Sequence, residues 1–549
     1  MDNIEVSTIL KDIGIYIQLT GENPYKGKSY IKAARTLARA NPLSEIIAKN
    51  QLTDLPGIGD RLAKEIIDIT ERGESTKLIK LKKEVPSGLK ALTYVTAITP
   101  GMAYKLYHNL EVENIRDLLE VIESRKIYKV EGVGDSTVKK IRQSLEDYIL
   151  KGRQFLLSDG KILYNKVMFK LQFSFNNDAI NSVGDFRRNL KLISKIEILV
   201  TCTKNVLEKA LRESFNDVSA KEKYFEINDY EIPVVIYYCQ GKDTGYNLLI
   251  KTGNVRHVEE LKVAGLSKAK VEKMNEQEIY ESLSMQFVPP ELREGKKEVS
   301  LAKDFKLPKL VRVEDIKGDL HVHTNFSDGL GSLEEMVGKA NMIGYDYLAI
   351  TDHSKSLKIA GGLNKDKFYK QFKEIENIQK DTDILILKGI EVDVLKDGSL
   401  DFDEDFLKEF DLVVASIHSN FKMPKEHMTN RLISAIRNPA VHIIGHPSGR
   451  LLLKREPYNI DLKAVIEEAS SYNKAIEINS SPYRLDLDEE WVRFAKQSGV
   501  KISVNTDSHS IEELYNIDLG VSVAKRGWLE RKDIINCWKK EKLLGYLRR

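Results

Sequence analysis

GDLHVHT (318–324), YLAITDHS (347–354), ILILKGIEVDV (384–394), LVVASIHS (412–419), VHIIGHPS (441–448), AIEINSS (475–481) and KISVNTDSH (501–509) are short apolar runs, and nearly every one ends in a histidine or a carboxylate. Between them lie amphipathic stretches such as SLEEMVGKANMIG (332–344), KFYKQFKEIENIQK (367–380) and DLKAVIEEASSYN (461–473). That alternation predicts parallel strands joined by helices. In a closed α/β barrel the strand ends converge on one face. Seven strand ends would therefore bring His321, His323, Asp328, His353, Glu391, His418, His446, Asp507 and His509 into a single site.

Imidazole and carboxylate donors without thiolate suit zinc, manganese or iron. The three cysteines, Cys202, Cys239 and Cys537, stand far apart with no CxxC pair, which excludes a disulfide framework and a cysteine-type zinc site. Any one histidine is as readily a half-buried structural side chain. Chance is a poor account of HVH, DH, IH, GHP and DSH all closing apolar runs. His427 and His442 fit no such place and read as surface or structural residues. Such a cluster suits hydrolysis of a phosphate ester, because bound cations acidify water and neutralise phosphate oxygens. Arg450, with Lys454 or Arg455, follows His446 in HPSGRLLLKREPY and is a candidate phosphate clamp; the alternative is a solvated basic loop.

At 549 residues the chain is long enough for about three or four domains. An apolar fraction of 42% is ample for packed cores. No apolar run approaches the roughly 20 residues of a membrane span, and MDNIEVSTIL lacks the layout of a secretory signal. These features read as a soluble intracellular protein. A net charge of +3, from 85 basic and 82 acidic side chains, makes any contact with nucleic acid a local one.

Nearer the start, LTDLPGIGDRLAKEIIDI (52–69) reads as a helix end, a Pro-Gly-Ile-Gly turn and a second helix with Leu62, Ile66 and Ile69 on one face. YKVEGVGDSTVKKIRQSL (128–145) repeats it, with Lys139, Lys140 and Arg142 on the following helix. A weaker copy, ITPGMAYKLYHNL (98–110), has Ala103 in place of the second glycine. In this helix-hairpin-helix pattern Gly57, Gly59, Gly132 and Gly134 allow backbone N–H groups at a helix N-terminus to meet a DNA phosphate. Such contacts position DNA without reading its sequence. One copy alone would pass for an ordinary tight hairpin; two good copies favour DNA.

Residues 1–295 resemble a family X DNA polymerase of the bacterial kind. The resemblance rests on NPYKGKSYIKAARTLARAN (23–41), the three hairpins in order, Gly-x-Phe-Arg-Arg at 184–188, KTGNVRH (251–257) and VPPELRE (288–294). It implies a helical DNA-binding domain of the 8-kDa type over 1–95, a fingers-like helix-hairpin-helix region over 96–150, and an α+β palm and thumb over 151–293. The charged stretch 294–314 reads as an extended connector. Family X palms hold two magnesium ions on three aspartates. Here the corresponding positions are Lys195 and Glu197 on KIEILVTC (195–202) and Pro233 on EIPVVIYYC (231–239). An ammonium repels a cation and proline offers no ligand. The family's Gly-Ser turn is Gly184-Asp185, while Arg187 and Arg188 remain to touch phosphate. The expectation is a polymerase-like fold with nucleotidyl transfer weak or lost; the alternative has Asp185 and Glu197 rebuilding a site. The position resembling the Schiff-base lysine of animal members holds Glu65, with Lys64 on another helix face, so no lyase is assigned.

The C-terminal motifs, over 315–549, resemble the PHP domain, a distorted (β/α)7 barrel with three metals that is fused to bacterial family X polymerases. Carried over by motif, one ion would take His321, His323, Glu391 and Asp507. A second would take Glu391, His418 and His446, and a third Asp328, His353 and His509, with Glu391 bridging. Glu391, Asp507 and His418 become the catalytic residues, with Arg450 as clamp. The resemblance implies a 3′-to-5′ exonuclease that acts on gapped, nicked or recessed DNA in repair, and that also cuts at abasic sites. It would work in the bacterial cytoplasm at the nucleoid, beside another DNA polymerase or repair factor. The alternatives are a small-molecule phosphatase resembling histidinol-phosphate phosphatase, an active gap-filling polymerase, and a non-catalytic DNA-end scaffold.

Overall fold

A computed structural model of the chain describes residues 1–548 except 2, 39 and 41; positions 39 and 41 of the 23–41 stretch therefore lie outside the described residues. The chain divides into two compact units, Met1–Gln154 and Phe155–Arg549.

The first unit is helical, with helices from Asn3–Leu19 to Asp135–Lys151. A single apolar core runs through it from Val6 to Leu145, so the segments expected as 1–95 and 96–150 pack as one body. In the helix Asp60–Arg72, Ala63, Ile66 and Ile69 face that core, and Gly73 ends the helix in the left-handed region at φ 76°.

In the second unit a five-stranded mixed sheet comes first. Its spatial order is Ile180–Val183, Ile196–Thr201, Val234–Cys239, Tyr224–Ile227 and Val218–Ala220. Helices Leu157–Leu171 and Lys204–Ser214 turn apolar faces to the core shared with this sheet.

A seven-stranded sheet follows, with all its strands parallel and in chain order: Gly318–Val322, Tyr347–Ile350, Leu385–Asp393, Leu412–Ser416, Ile443–Ile444, Ala475–Asn479 and Ile502–Asn505. The first and last strands meet through a parallel bridge from Val322 to Ser508 and the bond from Asp507 N to His321 O, which closes the barrel. Every residue of Gly318–Val322, Leu412–Ser416 and Ala475–Asn479 is buried. Strands covered on both faces read as continuous apolar runs, which is how they appeared in the sequence. Away from the ligand-bearing ends, Leu320, Leu412 and Ile443 pack against Trp538, Leu543 and Leu547 of the C-terminal segment. His442 belongs to this packing: Val413 N donates to its Nδ1, and Nε2 lies 2.8 Å from Leu547 O. His427 is exposed.

The stretch read as an extended connector is folded in. Residues Glu298–Lys303 form a helix, and Glu298, fully buried, accepts hydrogen bonds from the backbone N–H groups of Gly295 and Lys296. No helix among the described residues is long and apolar enough to cross a membrane.

Candidate metal centre

The barrel delivers its polar side chains at the C-terminal strand ends. His321 and His323 end the first strand, His353 follows the second, Glu391 lies late in the third, and His418 follows the fourth. His446 follows the fifth, and Asp507 and His509 follow the seventh. Three sets of donor atoms, each lying within 4.8 Å of one another, emerge: His323, Asp328, His353 and His509; His321, His323 and Asp507; and His353, Glu391 and His418. His446 joins through Glu391, its Nε2 lying 3.0 Å from Oε1. All nine residues singled out in the sequence are thus brought together, although His323 and His353 each sit in two sets.

The donor set fits cations. His321 Nε2, both ring nitrogens of His323, His353 Nδ1 and Glu391 Oε2 are buried and make no hydrogen bond. Yet His353 Nδ1 stands 2.7 Å from Glu391 Oε2, and His323 Nε2 stands 3.1 Å from Asp507 Oδ1. Buried polar atoms almost always find a partner. Atoms this close that share no well-directed proton are placed to share a cation.

Partners behind the donors fix which nitrogen faces inward. Glu477, fully buried, lies 2.7 Å from His321 Nδ1 and accepts from His446 N at 2.8 Å and Asn505 Nδ2 at 2.8 Å. Asp393 lies 3.1 Å from His418 Nδ1, and Asn479 Nδ2 donates to Asp507 Oδ2 at 2.9 Å. A carboxylate on Nδ1–H turns Nε2, with its lone pair, toward the centre. Glu477 and Asn479 were missed in the sequence reading. Their spacing of two residues on a strand, which places both side chains on one face, was the available signal.

Electrostatics follows the same plan. Burial and the imidazoles of His353 and His509 push His323 down to about 3. Burial opposes the charge on His418, but Glu391 and Asp393 raise it to about 9. Burial likewise opposes protonation of His509, which Asp328 and Asp507 lift to about 9. Burial would neutralise Glu391, yet the surrounding imidazoles hold it well below the usual carboxylate range. The centre opens at its Asp328 and His509 rim, where the side chains are 35% and 32% exposed; Glu391 is fully covered.

Arg450 does not reach the centre. Its buried guanidinium donates to the carbonyl of Arg484 at 3.0 Å, to the carbonyl of Leu485, and to Asp488 Oδ2 at 3.0 Å, so every arm is spent holding the 484–488 loop. Arg455 donates to Gly449 O, and Lys454 lies over the Tyr483 ring. The arginine at the centre is Arg484, whose Nε stands 3.2 Å from Asp507 Oδ2. The sequence reading passed over it.

A PHP domain model matches residues 319–481, a helix-hairpin-helix domain model residues 1–75, and a SAM-like helix-hairpin-helix tandem model residues 89–147. The DNA polymerase/3'-5' exonuclease PolX of Bacillus subtilis (strain 168) is 31% identical over 578 residues, covering 100% of each chain. The chain belongs to the bacterial PolX family. Two shorter relatives, each named a "Probable phosphatase", also match. That of Thermoanaerobacter sp. (strain X514) is 31% identical over 40% of this chain and 89% of its own. That of Caldicellulosiruptor bescii is 34% identical over 37% and 81%.

In this PolX chain the palm site is degenerate. Lys195 Nζ lies 2.8 Å from Glu197 Oε1, and Tyr237 donates to the same oxygen at 2.9 Å. Val235 pairs directly with Glu197 in the sheet and Pro233 stands beside Ile196, so the neighbouring strand offers no ligand there. Arg187 and Arg188, expected to touch phosphate, are engaged: Arg187 with Glu276 and Thr252, Arg188 with Asp185, Glu294 and the Thr252 carbonyl. Glu65, at the lyase position, accepts from Tyr30 at 2.5 Å.

The PolX hairpins differ in how their helices begin. Gly57 and Gly132 adopt φ of 83° and 84°, and Gly59 and Gly134 precede helices with no side-chain cap. Nothing lies within 4 Å of a Cβ added at Gly59, Gly132 or Gly134, and Lys139 and Lys140 are exposed. In the third hairpin Thr99 caps Met102 N with its own hydroxyl, so that N-terminus is already partly satisfied.

Proposed function

We propose that the chain is a metal-dependent DNA phosphodiesterase, a 3′-to-5′ exonuclease acting on gapped, nicked or recessed ends and also at abasic sites. The observation that carries this reading is the convergence of nine donor residues, in which buried atoms of His321, His323, His353, Glu391 and His446 make no hydrogen bond. Three divalent ions, manganese, zinc or iron, would be held on His321, His323, Glu391 and Asp507; on Glu391, His418 and His446; and on Asp328, His353 and His509. When bound, such ions acidify water near neutral pH and neutralise the charge on a phosphate and its leaving oxygen.

The chain's own groups do the rest. Glu391 and Asp507 remain ionised and act as the central carboxylates, and Asp393 keeps His418 Nε2 aimed inward. Arg484 offers a guanidinium to a non-bridging phosphate oxygen. Gly57, Gly59, Gly132 and Gly134 present backbone N–H groups to the duplex, assisted by Lys139 and Lys140. Repair of DNA ends places the protein in the bacterial cytoplasm at the nucleoid. With its own palm degenerate, it works beside a separate polymerase.

The test incubates the pure protein with manganese, and separately zinc, on 5′- and 3′-labelled recessed DNA, beside His323→Ala and a parallel reaction with dNTPs. A ladder of shortened products, lost in the variant and without extension, is the expected result. Extension with dNTPs would refute the degenerate palm, and absence of shortening would refute the nuclease. A phosphatase acting on small molecules is the second reading, favoured by the two phosphatase-named relatives. The helix-hairpin-helix turns disfavour it, since a small substrate needs no duplex grip.

A further inference from the structure

Among the contacts that join the palm to the barrel, one leads to the metal centre. Lys191 precedes the short strand Leu192–Ile193, and its carbonyl accepts from Leu157 N at 3.1 Å. Its ammonium lies 3.3 Å from Glu489 Oε2 and 3.8 Å from Asp488 Oδ2 of the barrel. Glu489 also takes Arg526 NH2 at 3.1 Å, and the two cations hold it down to about 2 against its burial. Asp488 takes Arg450 NH1 at 3.0 Å, and the same guanidinium donates to the carbonyls of Arg484 and Leu485. Arg484 closes the line, with Nε 3.2 Å from Asp507 Oδ2. The segment 484–489 is thus clamped at one end by Arg450 and at the other by Lys191. A long guanidinium side chain is aimed by the backbone that carries it, and a shift of about 1 Å in a reacting geometry can cost about 100-fold in rate. Without Lys191, Asp488 keeps Arg450 and Glu489 keeps Arg526, so removing the lysine leaves no buried acid alone.

We propose that Lys191 is a positioning residue for the nuclease: from the palm it pins Asp488 and Glu489, and through them it holds the backbone from which Arg484 reaches Asp507 and the substrate phosphate. This role rests on the nuclease reading and on Arg484 as its guanidinium. It gives the palm, whose own ligand positions are degenerate, a part in the reaction of the barrel.

The test is a double-mutant cycle on the full chain. Turnover of 5′-labelled recessed DNA is measured at saturating manganese for wild type, Lys191→Met, Arg484→Ala and the pair, beside metal content after dialysis against a chelator. Lys191→Met should slow turnover about three- to tenfold, within the loss expected of Arg484→Ala, and leave metal content unchanged. Once Arg484 is alanine, the same replacement should cost nothing further, because the group it positions is gone. A lysine that merely stabilises the fold would slow both backgrounds alike. Glu489→Gln weakens the same contact from the barrel side and takes the place of Lys191→Met if that variant does not fold. Equal losses in both backgrounds, full turnover in Lys191→Met, or a fall in its metal content would overturn the proposal while the nuclease reading stands. Wild-type protein that shortens no DNA would end both.

Discussion

Replacing Glu477 by glutamine changes one atom in a fully buried side chain that touches the centre only through its neighbours. In the wild type Oε1 lies 2.7 Å from His321 Nδ1, and the two oxygens also accept from His446 N and Asn505 Nδ2. An amide has one acceptor and one NH2 group. With its oxygen kept at the Oε2 position by His446 N and Asn479 Nδ2, the NH2 faces His321 Nδ1 and Asn505 Nδ2, where donors would collide. His321 escapes only by moving its proton to Nε2, the atom that faces Glu391 and Asp507 at 3.4 and 3.6 Å. A protonated Nε2 has no lone pair to give. Losing such a partner typically costs 10–100-fold in metal affinity, or about 1.4–2.8 kcal/mol. The assay is metal content after dialysis against a graded chelator, with nuclease rate measured at low and at saturating metal. Glu477→Gln should release metal at about 10–100-fold weaker chelation and recover much of its rate when metal is saturating. An unchanged chelation midpoint in a normally folded variant would refute the reasoning, because His321 would then not depend on Glu477 for its tautomer.

Arg484→Ala should lower nuclease turnover about tenfold with metal content intact, the loss of roughly one charge-assisted hydrogen bond. Arg450→Ala should instead act on stability, losing about 2–4 kcal/mol with its bonds to the 484–488 loop; thermal melting beside kinetics separates the two arginines. Gly132→Ala forces a side chain into a backbone at φ 84°, costing roughly 1–2 kcal/mol, and should weaken DNA binding in anisotropy. Burial keeps His257 below its ordinary 6.5, even beside Glu298, so the unfolded chain takes up this proton first as pH falls. Its contribution to stability is therefore fully present above about pH 6.5 and lost as pH drops toward the folded value. Urea midpoints at several pH values should show this, and His257→Gln should flatten the trend. Chelation should lower the unfolding free energy, followed by the fluorescence of Trp491, Trp528 and Trp538, by about 2.7 kcal/mol where metal is at a hundred times its dissociation constant.

How far the sequence carried depended on whether chemistry sat at a visible boundary. The candidates other than Asp328 stood out because an apolar run marks a buried strand, and a histidine or acid closing it marks a strand end. Glu477 and Asn479 lie inside AIEINSS, where a polar residue interrupts a run without ending it, and nothing local separates a support for a ligand from a structural acid. Arg450 and Arg484 illustrate a second limit. Both follow strand ends by a few residues, and which one faces the centre is decided by the loops 446–455 and 480–488 packing on each other. The segment 294–314 shows a third: it read as an extended connector, and the partner that ties Glu298 into the interior is the His257 ring, 41 positions away in the chain.

The two sites also differ in what a lost ligand does to the fold, which gives a physical reason why one can erode while the other keeps its residues. On the palm the first ligand position, Lys195, is 40% exposed at the start of a strand, so exchanging its side chain barely disturbs the core. Its ammonium pairs with Glu197, and Tyr237 closes the remaining contact, so the sheet is satisfied without any ion. In the barrel, His321, His323 and Glu391 are buried among one another, and each anchors a neighbour. Removing one leaves acids and imidazoles buried without their partners, which costs stability as well as chemistry. A sheet whose Glu197 is neutralised by Lys195 and Tyr237 keeps its shape without any ion. A barrel whose buried donors depend on one another cannot lose one without losing stability.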